Sequence, residues 1–205
     1  MTRFSELMSG QTLLPIIQAD SPEQGVQIAQ AMAGAGLTLV EVVLRTKASL
    51  AALTAIKKEV PQLKVGAGTV TDAQILKQAI DAGSDFIVTP AVSERLLGEL
   101  AACGVPVLPG VSNTGEILMA SEYGFAELKL FPASLSGGAP FLAALSSVFQ
   151  SIRFCPTGGV NQQNKMDYLS LNNVFAVGGT WVAPAKWVQQ GNWKAITTAC
   201  YHALN

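Results

Sequence analysis

Charged side chains are scarce in this sequence, and this narrows the partners that the protein can have. Only 13% of the 205 residues are charged, and the formal net charge is −1 at pH 7. Together with a pI near 5.8, this leaves no basic field to attract a polyanion, so we expect no nucleic-acid partner. The mean hydropathy of +0.35 favours a compact, helix-covered protein whose lean surface is partly buried in an oligomer.

Cysteine and histidine are also few. The three cysteines (Cys103, Cys155 and Cys200) are widely separated and odd in number, so neither a disulfide framework nor a metal knuckle is indicated. The single histidine, His202, cannot build an imidazole-rich catalytic metal site. The sequence therefore predicts reduced thiols, no metal and no cofactor.

Long apolar runs are missing as well. No run approaches the ~18 residues that a membrane-spanning helix needs, and the first ten residues carry Arg3 and Glu6, unlike a signal peptide. We therefore expect a cytoplasmic protein without membrane contact. The composition does not change along the chain, so we expect one domain over residues 1–205.

What the sequence does contain is an alternation of short apolar strands and longer helices rich in alanine and leucine, after a short leading helix at residues 2–9. The predicted strands span residues 13–18, 37–44, 64–69, 85–89, 105–108, 127–131, 153–156 and 174–178. The predicted helices span residues 22–35, 48–60, 72–82, 93–103, 114–123, 139–149, 163–171, 184–189 and 192–203.

Capping residues support these boundaries. Ser21 and Asp72 precede predicted helices, and Gly83, Gly104 and Gly124 follow them. Eight strand and helix units favour an α/β fold, a single (β/α)₈ TIM barrel with an extra N-terminal helix. An open doubly wound sheet is the alternative.

The strand at residues 127–131 carries a lysine within an apolar run. Alternation places Leu128 and Leu130 on one face and Glu127, Lys129 and Phe131 on the other. In a barrel covered by helices the leucines pack outward, so Lys129 points into the interior. Burial there is expected to lower the pKa of the lysine, and a neutral amine is the form that attacks a ketone to make a Schiff base.

The second strand carries two opposite charges on one face. Glu41 and Arg45 are four residues apart, about 13 Å along a strand, so we expect Glu41 deep in the barrel and Arg45 near its mouth. A structural ion pair inside the barrel is the alternative interpretation.

Glycine-rich turns follow several strands, where the active sites of such barrels gather. Gly66 and Gly68, just before Thr69 at the third strand, are expected to bring backbone close to whatever occupies the mouth. Paired glycines also end the last two strands, at residues 158–159 and 178–179, where exposed N–H groups form a phosphate cradle. Turns needed only for closure are the alternative.

Six ordered motifs carry a resemblance to a known family. They are LLPII (13–17), VEVVLRT (40–46), GAGTV (66–70), ELKLFPA (127–133), RFCPTGG (153–159) and GGTW (178–181). With these motifs the chain closely resembles the family of 2-keto-3-deoxy-6-phosphogluconate (KDPG) and 4-hydroxy-2-oxoglutarate (KHG) aldolases. The resemblance implies a class I aldolase on a (β/α)₈ barrel, a homotrimer that needs no metal and cleaves the phosphorylated keto-deoxy sugar acid to pyruvate and glyceraldehyde 3-phosphate.

The resemblance also assigns roles to residues. It makes Lys129 the Schiff-base lysine and Glu41 the residue that moves protons. The other matches are Arg45 and Thr69 for the pyruvate carboxylate, Pro90 and Phe131 for the wall around the pyruvyl methyl, Gly158, Gly159, Gly179 and Thr180 for the phosphate, and Thr157 for stereochemical choice.

Two positions depart from the family pattern. Gln18 stands where gluconate-type enzymes have an apolar residue and galactonate-type relatives often have an arginine, and Thr180 stands where a serine is common. Thr157 favours the gluconate-type enzyme, and a 2-dehydro-3-deoxy-6-phosphogalactonate aldolase is the alternative. A lyase or decarboxylase for another keto acid and a non-catalytic phosphosugar-binding barrel also stay open.

Overall fold

Strands and helices alternate along the described chain. The computed structural model describes residues 3–204, so residue 2 of the predicted leading helix (2–9) and residues 1, 2 and 205 of the predicted domain (1–205) lie outside the described residues. The strands are β1 (Leu13–Ile17), β2 (Leu39–Val43), β3 (Lys64–Gly68), β4 (Ile87–Val88), β5 (Val107–Leu108), β6 (Gly110–Val111), β7 (Glu127–Leu130), β8 (Arg153–Phe154) and β9 (Val177–Gly179). The helices are α1 (Phe4–Leu7), α2 (Pro22–Ala33), α3 (Ser49–Glu59), α4 (Ala73–Asp81), α5 (Glu94–Ala102), α6 (Thr114–Glu122), α7 (Gly138–Leu145), α8 (Lys165–Leu169), α9 (Ala185–Gln189) and α10 (Trp193–Leu204).

The strands pair in parallel. One sheet has the order β5-β4-β3-β2-β1-β9 and the other the order β6-β7-β8. Pro109 alone separates β5 from β6, and isolated parallel bridges join Phe154 to Val174 and Thr157 to Gly178. The chain therefore forms a curled parallel sheet, and the predicted α/β class is confirmed.

Successive strand residues pack into two different apolar clusters. Leu13, Ile87 and Phe154 belong to the large cluster that also contains the buried helix residues. Their chain neighbours, with residues of the N-terminal segment, form a second cluster inside the curled sheet. Its members are Phe4, Met8, Leu14, Leu39, Phe86, Val88, Leu108, Cys155 and Ala176. This division is the period-two alternation of a sheet that is filled on its inner face and covered by helices on its outer face.

The predicted helix signals are present in the structure. The side chains of Ser21 and Asp72 each accept a hydrogen bond from a backbone N–H in the first turn of the following helix. Gly83, Gly104 and Gly124 have φ between 81° and 86°, the left-handed region that ends helices. Within residues 3–204, no helix combines the length and apolarity that crossing a bilayer requires.

Some predicted boundaries were wrong. The strand expected at 105–108 is shorter, and a separate strand, β6, follows Pro109. Proline has no N–H to donate, but the carbonyl of Pro109 accepts a hydrogen bond from the N–H of Lys129 at 2.8 Å, so pairing resumes beyond it. The last strand lies at Val177–Gly179 rather than at 174–178, so Gly179 belongs to the strand.

Candidate active site

Lys129 lies on β7 with its side chain inside the sheet. Leu128 and Leu130 on either side pack into the outer cluster, and Lys129 itself is only 4% exposed. Its Nζ lies 3.4 Å from Oε1 of Glu41 and 5.1 Å from the centre of the Phe131 ring. The structure therefore places an amine in a largely dry chamber, beside one carboxylate and one aromatic ring.

Glu41 reaches this chamber from β2 and is fully buried. Its side chain occupies the space beside Gly68 on β3, where a Cβ atom would overlap the carboxylate. Its Oε2 atom is buried and has no hydrogen-bond partner among the described residues. A buried carboxylate oxygen without a partner is costly in a structure that has only a folding role, and it leaves an acceptor for a substrate proton.

Arg45 and Thr69 lie together after the ends of β2 and β3. Arg45 is exposed, and its Nε donates a hydrogen bond to Oγ1 of Thr69 at 3.2 Å. Thr69 has φ +64°, a left-handed conformation that is rare for a β-branched residue and costs about 1–3 kcal/mol. Strained residues of this kind gather at ligand sites, and the guanidinium beside this one can bind a carboxylate bidentately.

Pro90 and Phe131 follow strands β4 and β7 and are both half-buried. Before Pro90, buried Thr89 accepts a hydrogen bond from the N–H of Gly110 at 2.9 Å. The strand-end backbone at residues 89–90 packs so closely on Gly110 that a side chain there would overlap it. Gly110 pairs with Lys129 in the register of β6 and β7, so this close packing lies on the strand next to the lysine and forms a wall there.

The glycine pair that follows β8 lies beside this wall. Gly158 and Gly159 have φ of +93° and +80°, which L-amino acids with side chains rarely adopt. A Cβ on Gly158 would lie 3.3 Å from the Phe131 ring, so the turn touches the wall of the lysine chamber. Because neither residue has a side chain, a ligand at this turn can come close to the backbone N–H groups.

The second glycine pair adjoins the first. Thr157 forms a parallel bridge to Gly178, and its Oγ1 fills the space where a side chain on that glycine would lie. Thr157 is buried, whereas Thr180 after Gly179 is exposed. The structure thus brings the two predicted halves of the phosphate cradle to adjacent strand ends.

Gln18 lies near Thr180 at this end of the molecule. Both residues line a cavity of about 180 Å³ that also includes Asp20 and Gln24. Gln18 is exposed at the end of β1 and does not contact Lys129 through any hydrogen bond that the structure shows. Its place is therefore the outer rim beside the cradle rather than the lysine chamber.

Cys155 is the chamber residue that the sequence analysis did not assign. Its N–H donates to the carbonyl of Leu128 at 2.8 Å, which places it on the strand neighbouring Lys129. Burial raises the pKa of the thiol to about 12, with nearby Lys129 opposing and Glu41 adding to the shift. The alternation of the predicted strand at 153–156 already puts Cys155 on the inner face, and this was the available signal.

Potential metal ligands are dispersed. Among the described residues, no three or more histidine, cysteine, aspartate or glutamate side chains cluster as metal ligands do. All three cysteines are free.

Comparisons with known proteins give a consistent picture. Residues 4–199 match the family model described as KDPG and KHG aldolase. The chain is 42% identical over 202 residues to the 2-dehydro-3-deoxy-phosphogluconate aldolase of Pseudomonas aeruginosa, covering 98% of this chain and 92% of that one. It is 36% identical over 203 residues to the KHG/KDPG aldolase of Escherichia coli K12, covering 99% of this chain and 95% of the relative.

A solved structure is similar over the whole chain. The KDPG aldolase of Legionella pneumophila, with pyruvate captured as a covalent carbinolamine intermediate, superposes with a TM-score of 0.96 at 33% identity. The superposition covers 100% of this chain and 99% of that one.

Proposed function

The chain belongs to the KDPG and KHG aldolase family, and from this premise we propose that it is a class I aldolase in which Lys129 and Glu41 carry out the chemistry. Its reaction is the cleavage of 2-dehydro-3-deoxy-6-phosphogluconate to pyruvate and glyceraldehyde 3-phosphate. The observation that carries the assignment of residues is the buried pair of Lys129 and Glu41, whose Nζ and Oε1 atoms are 3.4 Å apart.

The first half of the reaction builds an imine. The neutral amine of Lys129 attacks the C2 ketone of the substrate, and the resulting carbinolamine loses water to give a protonated imine. Glu41 is the neighbouring group that can pass the required protons between nitrogen and oxygen. The low exposure of the chamber keeps bulk water from competing with these transfers.

The second half of the reaction cleaves the C3–C4 bond of the substrate. The imine draws the electrons of the C3–C4 bond toward nitrogen, the C4 hydroxyl gives its proton to Glu41, and glyceraldehyde 3-phosphate leaves. The enamine that remains takes a proton at C3. Water then adds to the imine carbon and releases pyruvate and the free amine of Lys129.

The remaining residues orient the substrate. Arg45 and Thr69 hold the carboxylate at the mouth, and Phe131 with Pro90 encloses the pyruvyl methyl. The N–H groups of Gly158, Gly159 and Gly179, with the hydroxyl of Thr180, bind the phosphate. Binding energy from this remote group positions the scissile bond over the lysine.

Pyruvate release in a coupled assay tests the proposal. The wild-type protein should turn over the phosphogluconate substrate equally with and without a chelator, and Lys129→Ala should lower kcat by about 10³-fold or more because the nucleophile is lost. Lys77→Ala serves as a control, since Lys77 lies in an exposed pair with Asp81. Full activity of a folded Lys129→Ala variant would overturn the proposal, and retained phosphate binding by an inactive one separates binding from catalysis.

KHG cleavage to pyruvate and glyoxylate is a second activity of the proposed site, since a relative 36% identical is named for both substrates. For epimer choice at C4, buried Thr157 supports the gluconate substrate over the galactonate one. Relative kcat/KM for the three substrates measures these preferences, and a higher value for the galactonate epimer would reverse the assignment.

The finer architecture is part of the proposal. We infer one catalytic domain whose strands, with β5 and β6 counted as one strand interrupted at Pro109, close into an eight-stranded barrel preceded by an N-terminal helix. The bridges that join Phe154 to Val174 and Thr157 to Gly178 support this closure. A homotrimer and a cytoplasmic location stay predictions. Exposed Leu135, Val148 and Met166 offer apolar surface for subunit contact.

A further inference from the structure

Helix α1 cannot hold its position by itself. It has four residues, and its N-cap residue Arg3 makes no side-chain capping bond. A helix this short is unstable in isolation because its nucleation cost is not repaid by propagation. Its place in the structure therefore depends on contacts with residues far along the chain.

Glu127 of β7 supplies the missing cap. The backbone N–H of Ser5 donates to Oε2 of Glu127 at 2.8 Å, and the hydroxyl of Ser5 donates to Oε1 at 2.6 Å. Arg153 lies at 3.8 Å from the same carboxylate, which is 6% exposed. A negative charge at a helix N-terminus that also receives two hydrogen bonds is a favourable arrangement.

The segment held in this way fills the inside of the curled sheet. Phe4 and Met8 are each 1% exposed, and the Phe4 ring packs edge-on against Phe86 at 5.1 Å between centroids. The Phe86 ring in turn occupies the space beside Gly66, which pairs with Glu41 in the register of β2 and β3.

The N-terminal segment contacts residues that precede both catalytic side chains on their strands. Leu39, a member of the cluster, is two residues before Glu41 on the inner face of β2. Glu127 is likewise two residues before Lys129 on the inner face of β7. The N-terminal segment therefore contacts the inner-face residue that lies two positions before each member of the catalytic pair.

We propose that Glu127 is a positioning residue. By accepting two hydrogen bonds from Ser5 it holds α1 in place, and the packing of α1 inside the sheet sets the separation of Lys129 and Glu41. The inference rests on the proposed function. Glu127 does not touch the substrate, and it acts through the packing of Phe4 and Met8. The chain thus couples its first helix to the reactivity of a lysine more than 120 residues later.

Three variants and a matched control test the proposal. Ser5→Ala and Glu127→Gln remove parts of the anchor, and Ser5→Thr keeps the hydroxyl. Asp85→Asn is the control, because Asp85 also accepts a backbone N–H, that of Val65 at 2.7 Å, and pairs with Lys57, but does not contact α1. For each, the rate of borohydride-trapped pyruvate adduct, kcat, KM and amide exchange of residues 4–8 are measured.

We expect Glu127→Gln to slow adduct formation and kcat by about tenfold, since small displacements of reacting groups are costly, while KM for the phosphorylated substrate stays within about twofold. Ser5→Ala should act in the same direction, with faster amide exchange in residues 4–8. Ser5→Thr should restore wild-type rates. Because Ser5→Ala and Glu127→Gln weaken the same contact, the double variant should be no slower than the slower of the two single variants.

The proposal is overturned if Ser5→Ala and Glu127→Gln, compared at temperatures equally far below their melting points, form the adduct as fast as Asp85→Asn. It is also overturned if the effects of the two changes multiply in the double variant. A failure of the proposed function looks different, because the wild-type protein itself would then form no adduct. Ser5→Ala decides the matter if Glu127→Gln does not fold.

Discussion

At the scale of single residues, the proposed reaction depends on two side chains that the fold brings together from distant strands. Lys129 and Glu41 are 88 positions apart in sequence, yet the Nζ and Oε1 atoms of their side chains lie 3.4 Å apart in a buried chamber. Burying an ionisable pair costs desolvation energy that its mutual attraction rarely offsets in full, so the pair is costly as a purely structural feature. A catalytic use explains why the carboxylate also keeps one oxygen without a partner among residues 3–204.

Glu41→Gln should separate catalysis from binding. The amide keeps the shape of the side chain but cannot take up a proton, so we expect kcat to fall by about 10²–10⁴-fold with KM within a few-fold. Steady-state kinetics on the phosphogluconate substrate check this. A variant with near wild-type kcat would show that another group moves the protons.

The cysteines should differ in reactivity. Burial raises the pKa of Cys155 and of Cys200 to about 12, so at pH 8 both remain protonated and poorly nucleophilic. Cys103 is half-buried and reachable. Titration with a thiol-reactive dye should therefore count one thiol in the native protein and three after denaturation, and rapid reaction of all three in the native state would contradict the described burial.

Sequence patterns predicted several of these positions. The alternation around Lys129 fixed the inner face of its strand, and the same rule put Glu41 inside. The pattern did not reveal that the two side chains meet, because neighbours across a sheet interior depend on register and curvature. It also did not show that Thr69 adopts a left-handed conformation, since a threonine gives no signal for one.

At the scale of elements, β3 and the last turns require glycine because neighbouring groups occupy the space that a side chain would need. Gly66 and Gly68 leave room for the Phe86 ring and for the Glu41 carboxylate. The sequence analysis expected backbone to lie close to the mouth here, and in the structure these two positions accommodate neighbouring side chains instead. The difference arises because a glycine pattern does not say which group uses the space.

Gly68→Ala should therefore impair the active site. The added methyl overlaps the Glu41 carboxylate, so we expect a loss of stability of about 1–3 kcal/mol and a fall in kcat of at least tenfold as the carboxylate moves. Thermal unfolding and kinetics check both effects. Gly98→Ala is the control, because this helix position has only the Tyr123 ring nearby, at 3.8 Å, and should be neutral or stabilising. Equal kinetics in the two variants would contradict the placement of Glu41.

The turn after β9 gives a second prediction at this scale. Thr180→Ala removes an exposed hydroxyl from the phosphate cradle, so KM for the phosphorylated substrate should rise by about tenfold, the value of one hydrogen bond to a charged group. The kinetics of KHG cleavage, which involve no phosphate, should be unchanged. If both substrates are affected equally, Thr180 has a role other than binding phosphate.

Helix boundaries differ in how well the sequence predicts them. Helices that begin at a capping residue, such as α2 and α4, start within one residue of the prediction because the cap is a local interaction. The helix expected at 163–171 spans Lys165–Leu169, and its later start arises because Asn161 accepts hydrogen bonds from the N–H groups of Gln163 and Asn164 and makes a turn there. Such side-chain turns compete with helix formation and leave no periodic signal.

At the scale of the whole molecule, the two faces of the parallel sheet have different roles. The outer cluster packs the strands against the helices, and the inner cluster lies on the face of the sheet that carries the proposed catalytic pair. The strand and helix alternation predicted an α/β TIM barrel, of which the α/β class and a curled parallel sheet are confirmed. It did not predict that β5 and β6 are separate strands or that Ser5 and Glu127 join the first helix to β7, since such long-range contacts leave no periodic pattern in the sequence.

The most direct test of the central claim is the identity of the residue that forms the imine. The folded protein is incubated with pyruvate and borohydride, and the reduced adduct is located by peptide mapping with mass spectrometry. The account predicts a single adduct on Lys129, absent in Lys129→Ala and retained in Lys77→Ala. An adduct on a different lysine, or none on the folded protein, would contradict it.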